Sequence, residues 1–153
     1  MSALCGIRIV ELAESVAAEY CGKPLSDFGA DVIKIERRGR GSPTRAMAPL
    51  VGEGSGTERS GLFAYLNTNK KSVVLDVAHD HDTLDALIAT AHAVIDDHAS
   101  PTDLPSRHCD VVFCSITPFG KGTRNSCRTP HLDVGSPRCS ARRGRRSRHV
   151  PLR

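Results

Sequence analysis

The chain has 153 residues, 39% hydrophobic and 25% charged, enough apolar material for one core and one ordinary domain. No run of about 18 apolar residues is present, and Met1 to Cys5 lacks a basic, apolar leader, so a cytoplasmic protein with no membrane partner is expected. Six cysteines at 5, 21, 109, 114, 127 and 139 form no CxxC pair, which favours reduced thiols over a disulfide framework. The net charge of +4 conceals two compositions: residues 1–120 carry eleven Lys and Arg against sixteen Asp and Glu, whereas residues 121–153 carry ten against one.

In chain order, Gly6-Ile-Arg-Ile-Val-Glu-Leu12 alternates like a strand. Ser15 is placed to cap a helix over Val16 to Phe28, with Val16, Ala17, Tyr20, Cys21, Pro24, Leu25 and Phe28 as its buried face and Pro24 as a bend or interruption. Gly29 stops that helix, and the β-branched run Ala30 to Glu36 predicts a second strand. Arg37 to Ser60, rich in glycine and proline, reads as a long exposed connection. A short helix over Leu62 to Leu66, a strand over Lys71 to Val77, a helix over Asp80 to His92 and a strand over Ala93 to Asp96 follow. Asp110 to Thr117 is almost continuously apolar, as expected of a central parallel strand buried on both faces, with Cys114 a small buried side chain. The alternation predicts an α/β fold with a Rossmann-like parallel sheet.

Residues 121–153 break the pattern. They hold nine arginines and no Ile, Phe, Tyr or Trp, which predicts a disordered basic tail after a 1–120 domain. Hydrophobic patterning and charge change together near Gly120, which favours a reading-frame shift over a selected basic segment. Phosphate contacts by the tail would be non-specific, and without aromatics for base stacking a nucleic-acid partner is not expected.

Chemistry-bearing motifs are sparse. The first strand-to-helix turn has no GxGxxG, so no nicotinamide or flavin cofactor is expected there. The helix N-terminus around Val16 and Ala17 suits either a phosphate or an ordinary capped core helix. Lys34 to Arg45 leaves a strand end with several cations, fit for a phosphorylated ligand or a solvated loop. His79, Asp80, His81 and Asp82 read as a helix start, and no metal site is assigned. His108 adjoins Cys109, but neighbours on a strand point to opposite faces and make no catalytic pair.

Four blocks occur in order: Gly6 to Leu12; Leu25-Ser-Asp-Phe-Gly-Ala-Asp-Val-Ile-Lys-Ile-Glu-Arg37; Gly41-Ser-Pro-Thr-Arg45; and Leu66-Asn-Thr-Asn-Lys-Lys-Ser-Val-Val-Leu-Asp76. With Ser115-Ile-Thr-Pro-Phe-Gly120, they resemble the opening of family III CoA transferases, the group of the carnitine dehydratase and bile-acid-inducible proteins, over residues 4–120. The resemblance implies a Rossmann-like N-terminal domain of a longer protein whose subunits interlock as rings, an assembly not expected of this chain alone. It implies CoA or acyl-CoA and a carboxylic acid as substrates, no tightly bound cofactor, and transfer through an aspartyl-CoA thioester. A truncated chain without turnover is expected; relatives of the racemase or dehydratase type remain alternatives, as do a non-catalytic CoA-binding remnant and a nucleic-acid binder acting through the basic tail. The nucleophilic aspartate belongs to a later segment, so no catalytic residue is assigned here, Asp133 included. By the same resemblance Val16, Ala17, Arg37, Leu75 and Asp97 fall on CoA-binding positions, while Ala18-Glu19 replaces a frequent Gly-Pro, and Asp97-His98 an Asn-Phe.

Overall fold

Strands in a sheet covered on both faces are largely apolar, with any buried charge paired, and three segments here fit that description. In the computed structural model, which describes residues 2–52, 56, 58–97 and 103–118, they are β1 (Arg8–Leu12), β2 (Asp31–Glu36) and β4 (Ala93–Asp96). Two further strands, β3 (Lys71–Val74) and β5 (Val112–Ser115), complete a five-stranded, wholly parallel sheet in the order β3-β2-β1-β4-β5. The register is set by pairs such as Val10 with Ile33, Val10 with Val94, and Ile95 with Cys114. The α/β Rossmann-like reading therefore holds. The expected basic tail lies outside the described residues, as do Cys127, Asp133 and Cys139.

Two apolar layers sandwich the sheet. Val10, Leu12, Ile33, Ile35, Leu75 and Val94 face one side, where α3 (His81–Ile88) supplies Leu84 and Ile88, and α4 (Leu104–Arg107) supplies Leu104. Ile9, Ala13, Val32 and Ile95 face the other, where α1 (Val16–Asp27) supplies Ala18, Cys21 and Leu25. The 37–60 connection contains a short 3-10 turn over Pro43–Ala46 and leads to α2 (Gly61–Asn67). A serine caps each of α1 and α2, the first as the sequence suggests: Ser15 Oγ accepts from Ala18 N at 3.3 Å and Ser60 Oγ from Phe63 N at 3.0 Å. The end of α1 needs Gly29, whose φ of +92° lets Gly29 N and Ala30 N return to the carbonyls of Ser26 and Leu25.

Three expectations are corrected. First, α1 buries Ala18, Glu19, Gly22 and Ser26, whereas Val16, Ala17, Pro24, Tyr20 (55% exposed) and Phe28 (59%) face outward. A polar cluster described below claims the inward face and rotates the apolar one partly to solvent. The helix also continues through Pro24 to Asp27. Second, β5 is an edge strand, not a central one: it pairs only with β4 among the described strands, and Cys114 is exposed. Its apolar run marks strand character, but sheet position depends on which neighbours are present. Third, β3 ends at Val74 and α3 at Ile88, both earlier than their periodicity suggests. Leu75 and Ala91 still reach the core from the connections.

Candidate functional site

Strand order reverses direction between β1 and β4, and the crevice at the carboxyl ends of those strands is where open parallel sheets admit ligands. Asp97, just after β4, spans that point. Its Oδ2 accepts from Glu14 N at 2.9 Å and Ser15 N at 2.6 Å, so it fixes the loop that leads into α1. The carboxylate thereby occupies two N–H groups that an anion would otherwise use. The next two N–H groups, those of Val16 and Ala17, have no protein acceptor among the described residues, and both side chains are exposed.

A cavity of about 460 Å³ opens beside this turn, lined by Leu12, Glu14, Arg37, Leu75 and Ala78 among others. Leu75 forms part of its apolar wall. Arg37 leaves the end of β2 with its side chain 62% exposed, and its Nε meets Glu14 Oε1. No hydrogen bond from its terminal guanidinium nitrogens is found among the described residues, and Arg37 lines the cavity with a charged, largely exposed side chain. A second cavity of about 420 Å³ on the far side of Glu14 and Arg37 is lined by Arg40, Gly41, Ser42, Pro43 and Arg45. Of the five expected binding positions, the structure gathers Arg37 and Leu75 in one cavity and holds Asp97 beside Val16 and Ala17. Glu14 links the two groups through its side chain and its backbone.

What sequence reasoning missed is the polar cluster under α1. Lys34 is 1% exposed and Glu11 and Glu19 are fully buried, three charges inside a sheet-to-helix interface. Lys34 Nζ lies 3.2 Å from Glu11 Oε1, 2.9 Å from Glu19 Oε1 and 2.8 Å from the Ala13 carbonyl. Lys70 Nζ adds Glu11 Oε2 at 2.8 Å and the Glu19 carbonyl at 2.7 Å. Glu19 also accepts from the Ser42 hydroxyl, from Thr44 Oγ1 at 2.8 Å and from Asn67 Nδ2 at 3.0 Å. Charges this deep persist only when each is paired and hydrogen-bonded. Burial pushes Glu11 up from the carboxylate range against the pull of Lys34 and Lys70, and pushes Lys70 down. A signal existed: a lysine or glutamate inside a strand covered on both faces has to be buried with a partner, and Glu11 and Lys34 sit in such strands.

The cluster ties the arginine-bearing loop to the scaffold, because Ser42 and Thr44 belong to the loop and Glu19 to α1. A second tie runs through Glu36, whose carboxylate takes Arg45 Nε at 2.7 Å, Arg45 Nη2 at 2.9 Å, Ser72 Oγ at 2.6 Å and Ser42 N at 2.9 Å. The Arg45 guanidinium, more than the hydroxyl and amide, holds Glu36 down at about 2. Arg45 is itself stacked over Phe63, its guanidinium carbon 3.8 Å from the ring centroid. Arg45 is thus spent on the loop's structure, which leaves Arg37, Arg38 and Arg40 as the more exposed cations lining the cavities.

Other candidates have structural roles. His79 Nδ1 pairs with Asp76 at 3.0 Å, and His108 Nε2 meets Asp85 at 3.1 Å, remote from Cys109 chemistry. Among the described residues no group of three His, Cys, Asp or Glu is arranged to hold a metal, and no helix is long and apolar enough to cross a membrane.

Comparison with known proteins agrees with this architecture. Residues 4–136 match CoA-transferase family III, sixteen residues farther than the resemblance read from the sequence blocks. A succinyl-CoA:mesaconate CoA-transferase of Haloarcula hispanica is 32% identical over 131 residues, covering 78% of this chain and 33% of the relative. A succinate–glutarate CoA-transferase of Agrobacterium fabrum is 34% identical over 131 residues, 77% of this chain and 33% of the relative. The crystal structure of a CAIB/BAIF family protein from Brucella suis superposes with a TM-score of 0.65 at 29% identity, covering 76% of this chain and 33% of that one. The chain thus spans about a third of the length of the relatives it matches. With its parallel sheet, its switch-point turn and this match, the chain belongs to CoA-transferase family III.

Proposed function

We propose that this chain forms the CoA-holding portion of a CoA transferase acting on an acyl-CoA and a carboxylic acid, with the ligand lying across the carboxyl ends of β1, β2 and β4. The supporting observation is Arg37: a guanidinium anchored on one edge by Glu14 and open on the other, at the mouth of a cavity with an apolar wall. A fork of that kind suits a phosphate of the nucleotide end of CoA. Leu12, Leu75 and Val77 offer an apolar surface to its base or pantetheine arm. Val16 and Ala17, with unengaged N–H groups at the start of α1, take a second anionic or carbonyl oxygen. Asp97 acts from behind, by holding the Glu14-Ser15 turn, and is a positioning residue.

The covalent step falls to a group other than the cavity's own carboxylates. Glu14 is engaged by Arg37, Glu36 by Arg45, and Asp76 by His79 and the Ala78 N–H, so each already spends its oxygens on a partner within the fold. In such a reaction a carboxylate oxygen attacks the thioester carbonyl and CoA leaves as thiolate, so the residues here bind and orient the thioester.

Isothermal titration of the full chain with CoA tests the reading. Binding weakened roughly ten-fold in Arg37→Ala, about 1.4 kcal/mol, and retained or tightened in Glu14→Gln, which releases the guanidinium, is the expected outcome. Equal affinity of wild type and Arg37→Ala, or no heat at all with wild type, contradicts it.

A further inference from the structure

One pair of nucleophilic groups lies outside the site and has no part in its chemistry. Cys21 sits on the sheet-facing side of α1, half-buried against the layer formed by Ile9, Ala18, Val32 and Ile95. Cys114 lies on β5 in register with Ile95 of β4. Registered neighbours in a parallel ladder project to the same face, so Cys114 points to the α1 side with Ile95. The alternation along β5 agrees: Ile116, two residues on, packs on the α1 layer, while Val111 and Phe113 pack on the opposite one. Burial first, and then the neighbouring Cys114, pushes the Cys21 thiol up, as expected of two thiols that share this face of the sheet. Both are free thiols, and Cys114, on the edge strand, is exposed.

We propose that Cys21 and Cys114 are a reversible modification site, converted by a small-molecule disulfide into a covalent staple between α1 and the edge strand β5. Two features order the events. Cys114 is the accessible sulfur, so its thiolate attacks the small disulfide, forms a mixed disulfide at Cys114 and expels one small thiol. Cys21 then attacks the Cys114 sulfur, the mixed S–S bond breaks, and a second small thiol leaves. Two protein thiols lose two electrons and two protons in all, and one small disulfide becomes two thiols that carry them. The staple closes a long loop and anchors a strand that has a hydrogen-bonded neighbour on one side only among the described residues. It acts on the unfolded chain chiefly by restricting it.

The test is a peptide map of the full chain after treatment with oxidised glutathione, read under non-reducing conditions. A cross-linked peptide pair containing Cys21 and Cys114, about 2 Da lighter than the sum of the reduced peptides and abolished by dithiothreitol, is expected. The thermal unfolding temperature rises on oxidation, and Cys109→Ser leaves both results unchanged. In Cys21→Ser, Cys114 retains the glutathione adduct instead of resolving it. Wild-type protein in which Cys114 carries glutathione while Cys21 stays free, or in which Cys114 joins any other cysteine, overturns the proposal, as does a chain in which neither thiol reacts. The wild-type map decides the matter without depending on how any variant folds.

Discussion

Lys34 shows most clearly how single residues shape this molecule. In Val32-Ile-Lys-Ile-Glu36 simple alternation assigns it to a solvent face, yet it is 1% exposed because α1 covers that face. Its position depends on the two carboxylates of Glu11 and Glu19, and theirs on it. Lys34→Met removes one cation from a site where two acids remain buried, so a loss of about 3–5 kcal/mol in urea denaturation is expected. A variant as stable as wild type would mean that the cluster is not charged as drawn. Glu36 gives a pH signature. Its carboxyl is lowered from 4.5 to about 2 by Arg45, so the pair stabilises the fold above the unfolded value and the gain is lost as pH falls from about 4.5 through 2. The full effect is about 3 kcal/mol, and Arg45→Met should flatten that part of the acid-denaturation curve. A curve identical to wild type would remove Arg45 as the cause. The strands of Glu11 and Lys34 carried a signal that both would be buried with partners, but which of residues 19, 42, 44, 67 and 70 supply them needs the tertiary fold.

At the scale of elements, local chemistry located α1 well and its orientation badly. Ser15 and Gly29 mark its two ends in sequence and in structure, because caps depend on nearby backbone groups. Its buried face depends on what lies beneath, and there the Glu19 carboxylate is satisfied by four side chains, Lys34, Ser42, Thr44 and Asn67, while Tyr20 and Phe28 gain nothing by turning in. Gly22 permits the arrangement: a Cβ built there would lie 1.9 Å from Glu11 Oε2. Gly22→Ala raises intrinsic helix propensity by about 1 kcal/mol, but the overlap displaces a carboxylate held by Lys34 and Lys70, and a net destabilisation of about 1–3 kcal/mol is expected from thermal or denaturant unfolding. A stabilised variant would show that α1 rides higher above β1. The strands were legible for a different reason: β1 alternates, and β2 and β4 are rich in β-branched residues, with Glu11 and Lys34 among the buried exceptions. Asp110 to Thr117 carries a similar pattern and yet forms the edge, since hydrophobicity reports a strand's capacity for burial rather than its rank in the sheet.

Over the whole molecule, the topology β3-β2-β1-β4-β5 brings residues far apart in sequence to one end of the sheet: Glu14 after β1, Arg37 after β2, Leu75 after β3 and Asp97 after β4. Ordered blocks in the sequence suggested the family and five candidate binding positions; the cavity, the Glu14 bridge and the occupied N–H pair at Asp97 needed coordinates. The central claim is that CoA lies across these strand ends. Hydrogen exchange of the full chain with and without CoA, followed by peptide mass, reads that location directly. Slower exchange on CoA addition is predicted in the peptides covering residues 12–18, 36–41 and 75–78, with residues 20–28 and 103–115 unchanged. Protection confined to residues outside these three segments, or none at saturating CoA, would contradict the account.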